Sequence, residues 1–165
     1  MLFRSTAFGC HFEGDIPLEK TKAFLKIAHD IGIRSFNLCD TVGLAHPRMV
    51  EELVETSLIE FADSEFQIHI HDTRNMGIIN SYKALEHGIT KIQTSIGGLG
   101  GCPFAPGASG NTSTEDFAYM LNRMGFDTGI DVNALIEVAL DLKEHIKGSY
   151  SGHQVLIDNN HRCRR

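Results

Sequence analysis

The chain has 165 residues, of which 42% are hydrophobic and 22% charged, a composition typical of a globular protein with a real core. Its formal net charge of −6 argues against a general nucleic-acid-binding role, because an acidic surface repels a polyanion. No apolar run approaches the ~20 residues that a membrane span needs. We therefore expect neither a nucleic acid nor a membrane as partner.

Apolar residues with strand-like and with helical spacing alternate along the chain. Those at 50, 53, 54, 58 and 61, for example, recur at three- and four-residue steps and indicate an amphipathic helix. The predicted strands are 2–9, 35–39 (ending at Asp40), 66–71 and 91–96. The predicted helices are 18–31, about 50–61, 78–86, 113–124 and 132–146. A glycine-rich loop, 97–110, precedes the last two helices.

This alternation at intervals of roughly 30 residues predicts about four parallel β/α units and an α/β fold. Both a doubly wound sheet and part of a (β/α)8 barrel fit the pattern. A complete barrel typically needs about 250 residues, so the chain does not make one alone. We assign residues 1–148 to this domain and expect 149–165 to be a polar C-terminal tail that frays.

The cysteines at positions 10, 39, 102 and 163 lie far apart and form no Cys-x-x-Cys pair. This spacing disfavours a structural zinc site or a disulfide framework and indicates a reducing compartment. The first residues are too short and too polar for a signal peptide. We expect a cytoplasmic protein, with the mitochondrial matrix as the alternative if a natural N-terminus is missing.

His69 and His71 are the first candidate site residues. Residues two apart on a strand point to the same face, and sites in parallel β/α folds form at the carboxyl ends of strands. Two imidazoles placed there suit a divalent metal. The alternative is a pair of partly buried histidines with structural hydrogen bonds only. Asp72 follows and faces away from both, so we expect it to be structural.

The glycine-rich loop is the second candidate. It follows a strand directly, and Gly98, Gly100 and Gly101 would let its backbone fold closely around a ligand. Cys102 lies at its centre, between glycine and proline, where a thiol can be exposed and reactive. The loop has no Gly-Lys-Ser/Thr ending, which excludes a Walker-type phosphate loop. A flexible surface loop with an incidental cysteine is the alternative.

Further polar residues follow strands or open a helix. Asp40 ends a strand, where a carboxylate can orient a ligand or act as an acid or base. Asn111 precedes a segment that resembles a capping box ending at Glu115. Asn111 or Thr112 could cap that helix, and the Asn111 carbonyl oxygen could also be a hard metal ligand.

Several segments together resemble the 3-hydroxy-3-methylglutaryl-CoA lyase family: HIHDT, GLGGCPFAPGASGN, TEDFAYML, AFGCHFEG and CDTVG. The resemblance implies the C-terminal half of a TIM (β/α)8 barrel, a CoA-thioester substrate and Mg²⁺ or Mn²⁺ as cofactor. It also implies cleavage of 3-hydroxy-3-methylglutaryl-CoA to acetyl-CoA and acetoacetate.

The resemblance assigns roles to individual residues. His69, His71 and Asn111 match metal ligands. Cys102 matches the catalytic cysteine, Asp40 matches a catalytic aspartate, and His69 is expected to serve catalysis as well. The residues assigned to the loop or to the substrate are Gly98, Gly100, Gly101 and Glu115.

The family's Asp-Arg-Glu motif occurs nowhere in the chain. Its absence leaves an inactive or partner-dependent metal-binding fragment as an alternative. A related acyl-CoA lyase or condensing enzyme of the same superfamily is a further alternative. The cysteine-containing loop argues against a condensing enzyme. We expect a homo-oligomer, or a partner that supplies the other half of the barrel, because half a barrel exposes two strand edges.

Overall fold

The computed structural model describes residues 2–4, 7–101 and 110–162. Its strands are β1 (Leu2–Arg4), β2 (Gly9–Cys10), β3 (Gly14–Asp15), β4 (Ser35–Asp40), β5 (Glu65–Ile70) and β6 (Lys91–Gln93). Its α-helices are α1 (Leu18–Asp30), α2 (Pro47–Glu60), α3 (Gly77–Glu86), α4 (Thr114–Arg123), α5 (Val132–His145) and α6 (His153–Arg162), and a short 3₁₀ helix spans Ile96–Gly98.

The described residues form two compact units. The first extends to Gln93 and contains all six strands with α1, α2 and α3. The second contains Thr94–Gly101 and residues 110–162, with the 3₁₀ helix and α4, α5 and α6.

A four-stranded parallel sheet organises the first unit. Its strand order is β1-β4-β5-β6, and helices connect the last three strands, which is the predicted β/α arrangement. The longest pairing joins β4 to β5 over six residues, from Ser35 opposite Glu65 to Asp40 opposite Ile70. The prediction of parallel β/α units is confirmed.

The two faces of β5 differ in burial. Phe66, Ile68 and Ile70 are buried, whereas Gln67 and His69 on the other face are partly exposed. The buried face joins one apolar cluster with residues of β4 and of α1, α2 and α3: Phe36, Leu38, Leu25, Val50, Leu53, Val54 and Ala84. Burying one such side chain contributes about 1.5–3 kcal/mol, so this cluster fixes which face carries the site.

Helices form the second unit. Its buried apolar residues come from α4, α5 and α6: Phe117, Ala118, Leu121, Ile136, Ala139 and Val155. Asp131 caps the start of α5 by accepting the Ala134 N–H at 3.0 Å. No helix among the described residues combines the length and apolarity needed to cross a bilayer.

Three predicted elements differ from the observed ones. The strand 2–9 is wrong, because β1 stops at Arg4 and a small antiparallel hairpin of β2 and β3 follows. Strand β6 ends at Gln93 because Ile96 already enters the 3₁₀ helix, where Gly97 adopts a φ of 63°. In the segment after Gly148, expected to be a polar tail, helix α6 forms and Val155 is fully buried.

We predict that the isolated chain self-associates. Within the described part of the chain, β1 and β6 are the edges of the parallel sheet, and each has one strand neighbour. Unpaired edge groups are templates for pairing with another chain. Light scattering coupled to size-exclusion chromatography should give a mass above that of one chain, increasing with concentration. A monodisperse monomer at every concentration would contradict this expectation.

Candidate metal and catalytic site

The two histidines lie next to each other at the carboxyl end of β5. Their ring centroids are 5.2 Å apart and the rings meet edge to face at 79°. His71 follows the strand, and its N–H donates to the Asp40 carbonyl oxygen at 3.0 Å, which continues the pairing with β4. Strand geometry therefore brings the two imidazoles together, as their spacing predicts.

His71 is held in its neutral form. Burial lowers its pKa to about 4, and the neighbouring His69 adds to the effect. Its ring atom Nδ1 is buried and makes no hydrogen bond within the described residues. A neutral imidazole with an uncommitted nitrogen is the form that binds metal ions.

A chain of amide hydrogen bonds crosses the sheet beside this site. Asn37 Nδ2 donates to Gln93 Oε1 at 2.8 Å, and Gln93 Nε2 donates to Gln67 Oε1 at 3.0 Å. Gln93 lies opposite His69 in the β5–β6 register. The face that carries His69 is therefore polar and ordered by side-chain hydrogen bonds on three strands.

Asp40 is fully buried at the end of β4. Its carboxylate accepts the Leu44 N–H at 3.0 Å on Oδ1 and the Ala45 N–H at 2.7 Å on Oδ2. Burial raises the pKa of this carboxyl, while the backbone N–H groups of the following loop oppose that rise. In these contacts Asp40 fixes the loop after β4.

A cleft of about 310 Å³ opens near the same ends of β4 and β5. Its lining comes from the hairpin of β2 and β3 and from the loops after β4 and β5: Cys10, His11, Gly14, Val42, Leu44, Thr73 and Arg74. Arg74 donates from Nη1 to the carbonyl oxygens of Val42 at 2.8 Å and Gly43 at 3.2 Å, which ties the two loops together.

A second group of ligand-type side chains lies elsewhere in the first unit. Ligand atoms of Glu51, Glu55 and His87 all fall within 4.8 Å of one another, a spacing that could hold a metal ion. In the present arrangement His87 already pairs with both carboxylates, at 3.4 Å and 3.0 Å. We did not predict this group, although two glutamates four residues apart on a helix are a recognisable signal.

The second unit contains Asn111 and the start of the glycine-rich loop. Asn111 Nδ2 donates to the Leu99 carbonyl oxygen at 2.7 Å. A carbonyl oxygen can only accept, so this contact fixes the amide orientation. Asn111 Oδ1 is then buried and has no hydrogen-bond partner among the described residues. Such an oxygen is free to bind a hard cation.

Gly100 must be glycine for Asn111 to take this position. Its φ is 102°, a conformation that other residues rarely adopt, and an added Cβ would lie 2.6 Å from Asn111 Nδ2. Gly98, with a φ of 68°, is similarly restricted by the Ser151 side chain. Gly101 is exposed.

Glu115 is fully buried in the first turn of α4. Its Oε2 accepts the Gly97 N–H at 3.1 Å. Burial raises the pKa of this carboxyl, and the Gly97 N–H is among the groups that lower it. The helix cap is Ser113, whose hydroxyl accepts the Asp116 N–H at 3.2 Å, so the prediction of Asn111 or Thr112 as cap is wrong.

Cys102, with residues 103–109, lies outside the described residues, as does Cys163. The role predicted for Cys102 therefore stays a prediction. Asp72 accepts the Gly77 N–H on Oδ1 at 2.6 Å and holds the start of α3, a contact of the structural kind that we expected.

The four-stranded parallel sheet, with helices connecting its strands and two histidines at a strand's carboxyl end, makes the chain a parallel α/β protein. The family model described as HMGL-like matches residues 2–141. The chain belongs to the HMGL-like family.

Among curated proteins, the chain is 41% identical to the hydroxymethylglutaryl-CoA lyase YngG of Bacillus subtilis over 142 residues, which is 86% of this chain and 48% of that protein. It is 43% identical to an (R)-citramalyl-CoA lyase of Chloroflexus aurantiacus over 130 residues, or 79% of this chain and 41% of that protein. It therefore spans about half the length of the curated relatives it matches.

A solved structure agrees with these matches. The crystal structure of the Bacillus subtilis HMG-CoA lyase superposes with a TM-score of 0.86 at 37% identity, covering 95% of this chain and 53% of that one. This superposition confirms the expected α/β fold of a partial TIM barrel, and the four parallel strands among the described residues form an open sheet.

We predict that Asp40→Asn lowers the free energy of unfolding by about 1–3 kcal/mol. The amide nitrogen of asparagine would face one of the two backbone N–H donors, so that donor would lose its acceptor while buried. Urea unfolding followed by circular dichroism measures the change. Asp30→Asn on the exposed face of α1 is the matched control and should change stability little. Equal unfolding midpoints for Asp40→Asn and wild type would contradict a role for Asp40 in holding this loop.

Proposed function

We propose that the chain carries the metal-binding and thiol-bearing part of a carbon–carbon lyase that cleaves 3-hydroxy-3-methylglutaryl-CoA to acetyl-CoA and acetoacetate. The observation that supports this most strongly is the pair His69 and His71, adjacent at the end of β5, with His71 neutral. The resemblance of the surrounding segments to the lyases and the names of the relatives agree with it.

The residues present fit a divalent metal. His71 Nδ1 and Asn111 Oδ1 are both buried atoms without a hydrogen-bond partner among the described residues, and each is a common ligand type. We propose His69, His71 and Asn111 as ligands of Mg²⁺ or Mn²⁺. When bound, such an ion lowers the pKa of a coordinated hydroxyl and fixes the substrate's oxygen atoms.

The proposed cleavage is a retro-Claisen reaction. A base removes the proton of the tertiary hydroxyl, the carbon–carbon bond breaks, and its electron pair moves to the carbon next to the thioester. The carbon that bore the hydroxyl becomes the ketone of acetoacetate. We propose that the Cys102 thiol delivers the proton that converts the enolate to acetyl-CoA. Asp40 holds the loop after β4 in the first unit, and Glu115 holds Gly97 in the second.

A substrate other than 3-hydroxy-3-methylglutaryl-CoA is supported by one of the relatives. The chain is 43% identical to a protein named (R)-citramalyl-CoA lyase, a value close to the 41% found for the hydroxymethylglutaryl-CoA lyase. A related 3-hydroxyacyl-CoA is therefore the second candidate substrate, with the same bond cleaved.

A third candidate is a metal-binding chain that turns over substrate only with a partner. The 165 residues contain no Asp-Arg-Glu segment, which the resemblance associates with substrate polarisation. We propose that a polypeptide carrying that segment, in the same or another chain, is required for full activity.

The proposed metal site predicts selective loss of binding. Wild type should bind Mn²⁺ in calorimetric titration. His69→Ala or His71→Ala should weaken binding at least about 10-fold, because losing only an outer-shell partner of a metal ligand already costs about 10–100-fold. Asn111→Ala should act in the same direction. The matched control is His87→Ala, which removes the imidazole of the Glu51, Glu55 and His87 group.

Unchanged affinity in His69→Ala and His71→Ala would contradict the proposed site. Loss of binding in His87→Ala alone would assign the metal to the surface group instead.

Catalysis is tested by incubating the purified chain with Mg²⁺ and 3-hydroxy-3-methylglutaryl-CoA and following acetoacetate. We expect activity that Cys102→Ala lowers by about 10²–10⁴-fold, the usual contribution of a general acid. Cys163→Ala, near the C-terminal end of the sequence, is the control. Activity that survives Cys102→Ala would contradict the role of the thiol, and metal binding without any turnover would favour the partner-dependent candidate.

A further inference from the structure

The first residue of the glycine-rich loop, Gly97, is held on both sides of its backbone. Its N–H donates to Glu115 Oε2 at 3.1 Å. Its carbonyl oxygen accepts the N–H groups of Ser151 at 3.0 Å and Gly152 at 3.2 Å. All these residues belong to the second unit. The loop therefore starts from a backbone position that is bonded to two other segments.

Tyr150 covers the remaining side of Gly97. A Cβ built on Gly97 would lie 2.7 Å from Cδ1 of the Tyr150 ring, so the ring occupies the space of a side chain. The phenol oxygen donates to the Ile146 carbonyl oxygen at 3.1 Å, away from the loop. The aromatic ring, not the hydroxyl, makes the contact with the loop.

Gly152 leaves room for the carboxylate that holds Gly97. A Cβ on Gly152 would lie 2.5 Å from Glu115 Oε1 and 3.0 Å from Ser113 Oγ. A larger residue at 152 would therefore press on the Glu115 carboxylate whose other oxygen accepts the Gly97 N–H. The same glycine acts twice, as a donor to Gly97 and as the space beside Glu115.

Asp116, next to Glu115 on α4, fixes the other end of this segment. Its Oδ2 accepts the His153 N–H at 2.7 Å and its Oδ1 accepts the Gln154 N–H at 2.8 Å. These are orphan donors at the start of α6, and a carboxylate there is favourable. Two consecutive acidic residues of α4 thus hold the start of the loop and the start of α6.

The position of Gly97 also affects Asn111, because Leu99 lies between them in the hydrogen-bond network. The Leu99 carbonyl oxygen accepts Asn111 Nδ2, which sets the direction of Asn111 Oδ1. Leu99 follows Gly97 by two residues, and its own N–H donates to Ile96 within the 3₁₀ helix. A displaced Gly97 would therefore turn the Asn111 oxygen.

We propose that Tyr150, Ser151 and Gly152 are positioning residues, which fix Gly97–Leu99 and through it the Asn111 oxygen. They lie beyond residues 2–141, the part matched by the family model. The functional half of this inference rests on the proposed function, in which Asn111 binds the metal. If residues 150–152 only packed against the rest of the second unit, substituting them would lower stability without changing the orientation of the Asn111 amide.

The experiment uses the full chain in three variants. Gly152→Ala presses on the Glu115 carboxylate, and Tyr150→Ala removes the ring from Gly97. Tyr150→Phe is the matched control, because it keeps the ring and loses only the bond to Ile146. Nuclear magnetic resonance gives the exchange rates of the Gly97 backbone amide and the Asn111 side-chain amide, calorimetry gives Mn²⁺ affinity, and thermal unfolding shows that each variant is folded.

We expect both amides to exchange about tenfold faster in Gly152→Ala and Tyr150→Ala, since each loses a restraint on one hydrogen bond. Mn²⁺ affinity should fall with them, while Tyr150→Phe should match wild type in all three measurements. Wild-type exchange rates in both disrupting variants would overturn the proposal. If wild type binds Mn²⁺, faster exchange with unchanged Mn²⁺ affinity would overturn the link from these residues to the metal.

A separate result of the calorimetry would contradict the proposed function. If wild type binds no Mn²⁺, that function is contradicted. The exchange rates of the metal-free chain still decide whether residues 150–152 position the Asn111 amide.

Discussion

The six-residue parallel pairing of β4 with β5 is the constraint on which the candidate site depends. It aligns the two strands so that both end at the same level, with Asp40 opposite Ile70 and the His71 N–H bonded to the Asp40 carbonyl oxygen. Leu38 and Ile68, paired in the middle, are fully buried against the helices. A shift of one residue would turn His69 into that core, so burial of the apolar face fixes the register and the site together.

Buried carboxylates hold the loops around the candidate residues. Asp40 accepts two backbone N–H groups of the loop after β4, Glu115 accepts the N–H of Gly97, and Asp116 accepts two N–H groups of α6. Each carboxylate replaces water as the partner of a backbone donor, which loops otherwise need. Burial raises the pKa of both Asp40 and Glu115, a cost that these bonds offset in part. The loops are therefore preorganised by side chains in neighbouring elements.

Local patterns predicted the parallel β/α order and the adjacency of His69 and His71, because both follow from periodicity along one strand. They could not predict the hairpin of β2 and β3 or helix α6, whose sequences carry few apolar residues. Helix α6 is held by Asp116, more than thirty residues earlier in the chain, and such a contact leaves no local signal. The same limit applies to Ser151 and Gly152, whose role depends on where Gly97 lies.

We propose above all that His69 and His71 bind a divalent metal. A crystal of the chain soaked in Mn²⁺, with anomalous diffraction data collected at the manganese edge, tests it most directly. We predict an anomalous peak within coordination distance of a ring nitrogen of both histidines. A peak only beside Glu51, Glu55 and His87, or no peak at His69 and His71 in a crystal that binds Mn²⁺ elsewhere, would contradict the claim.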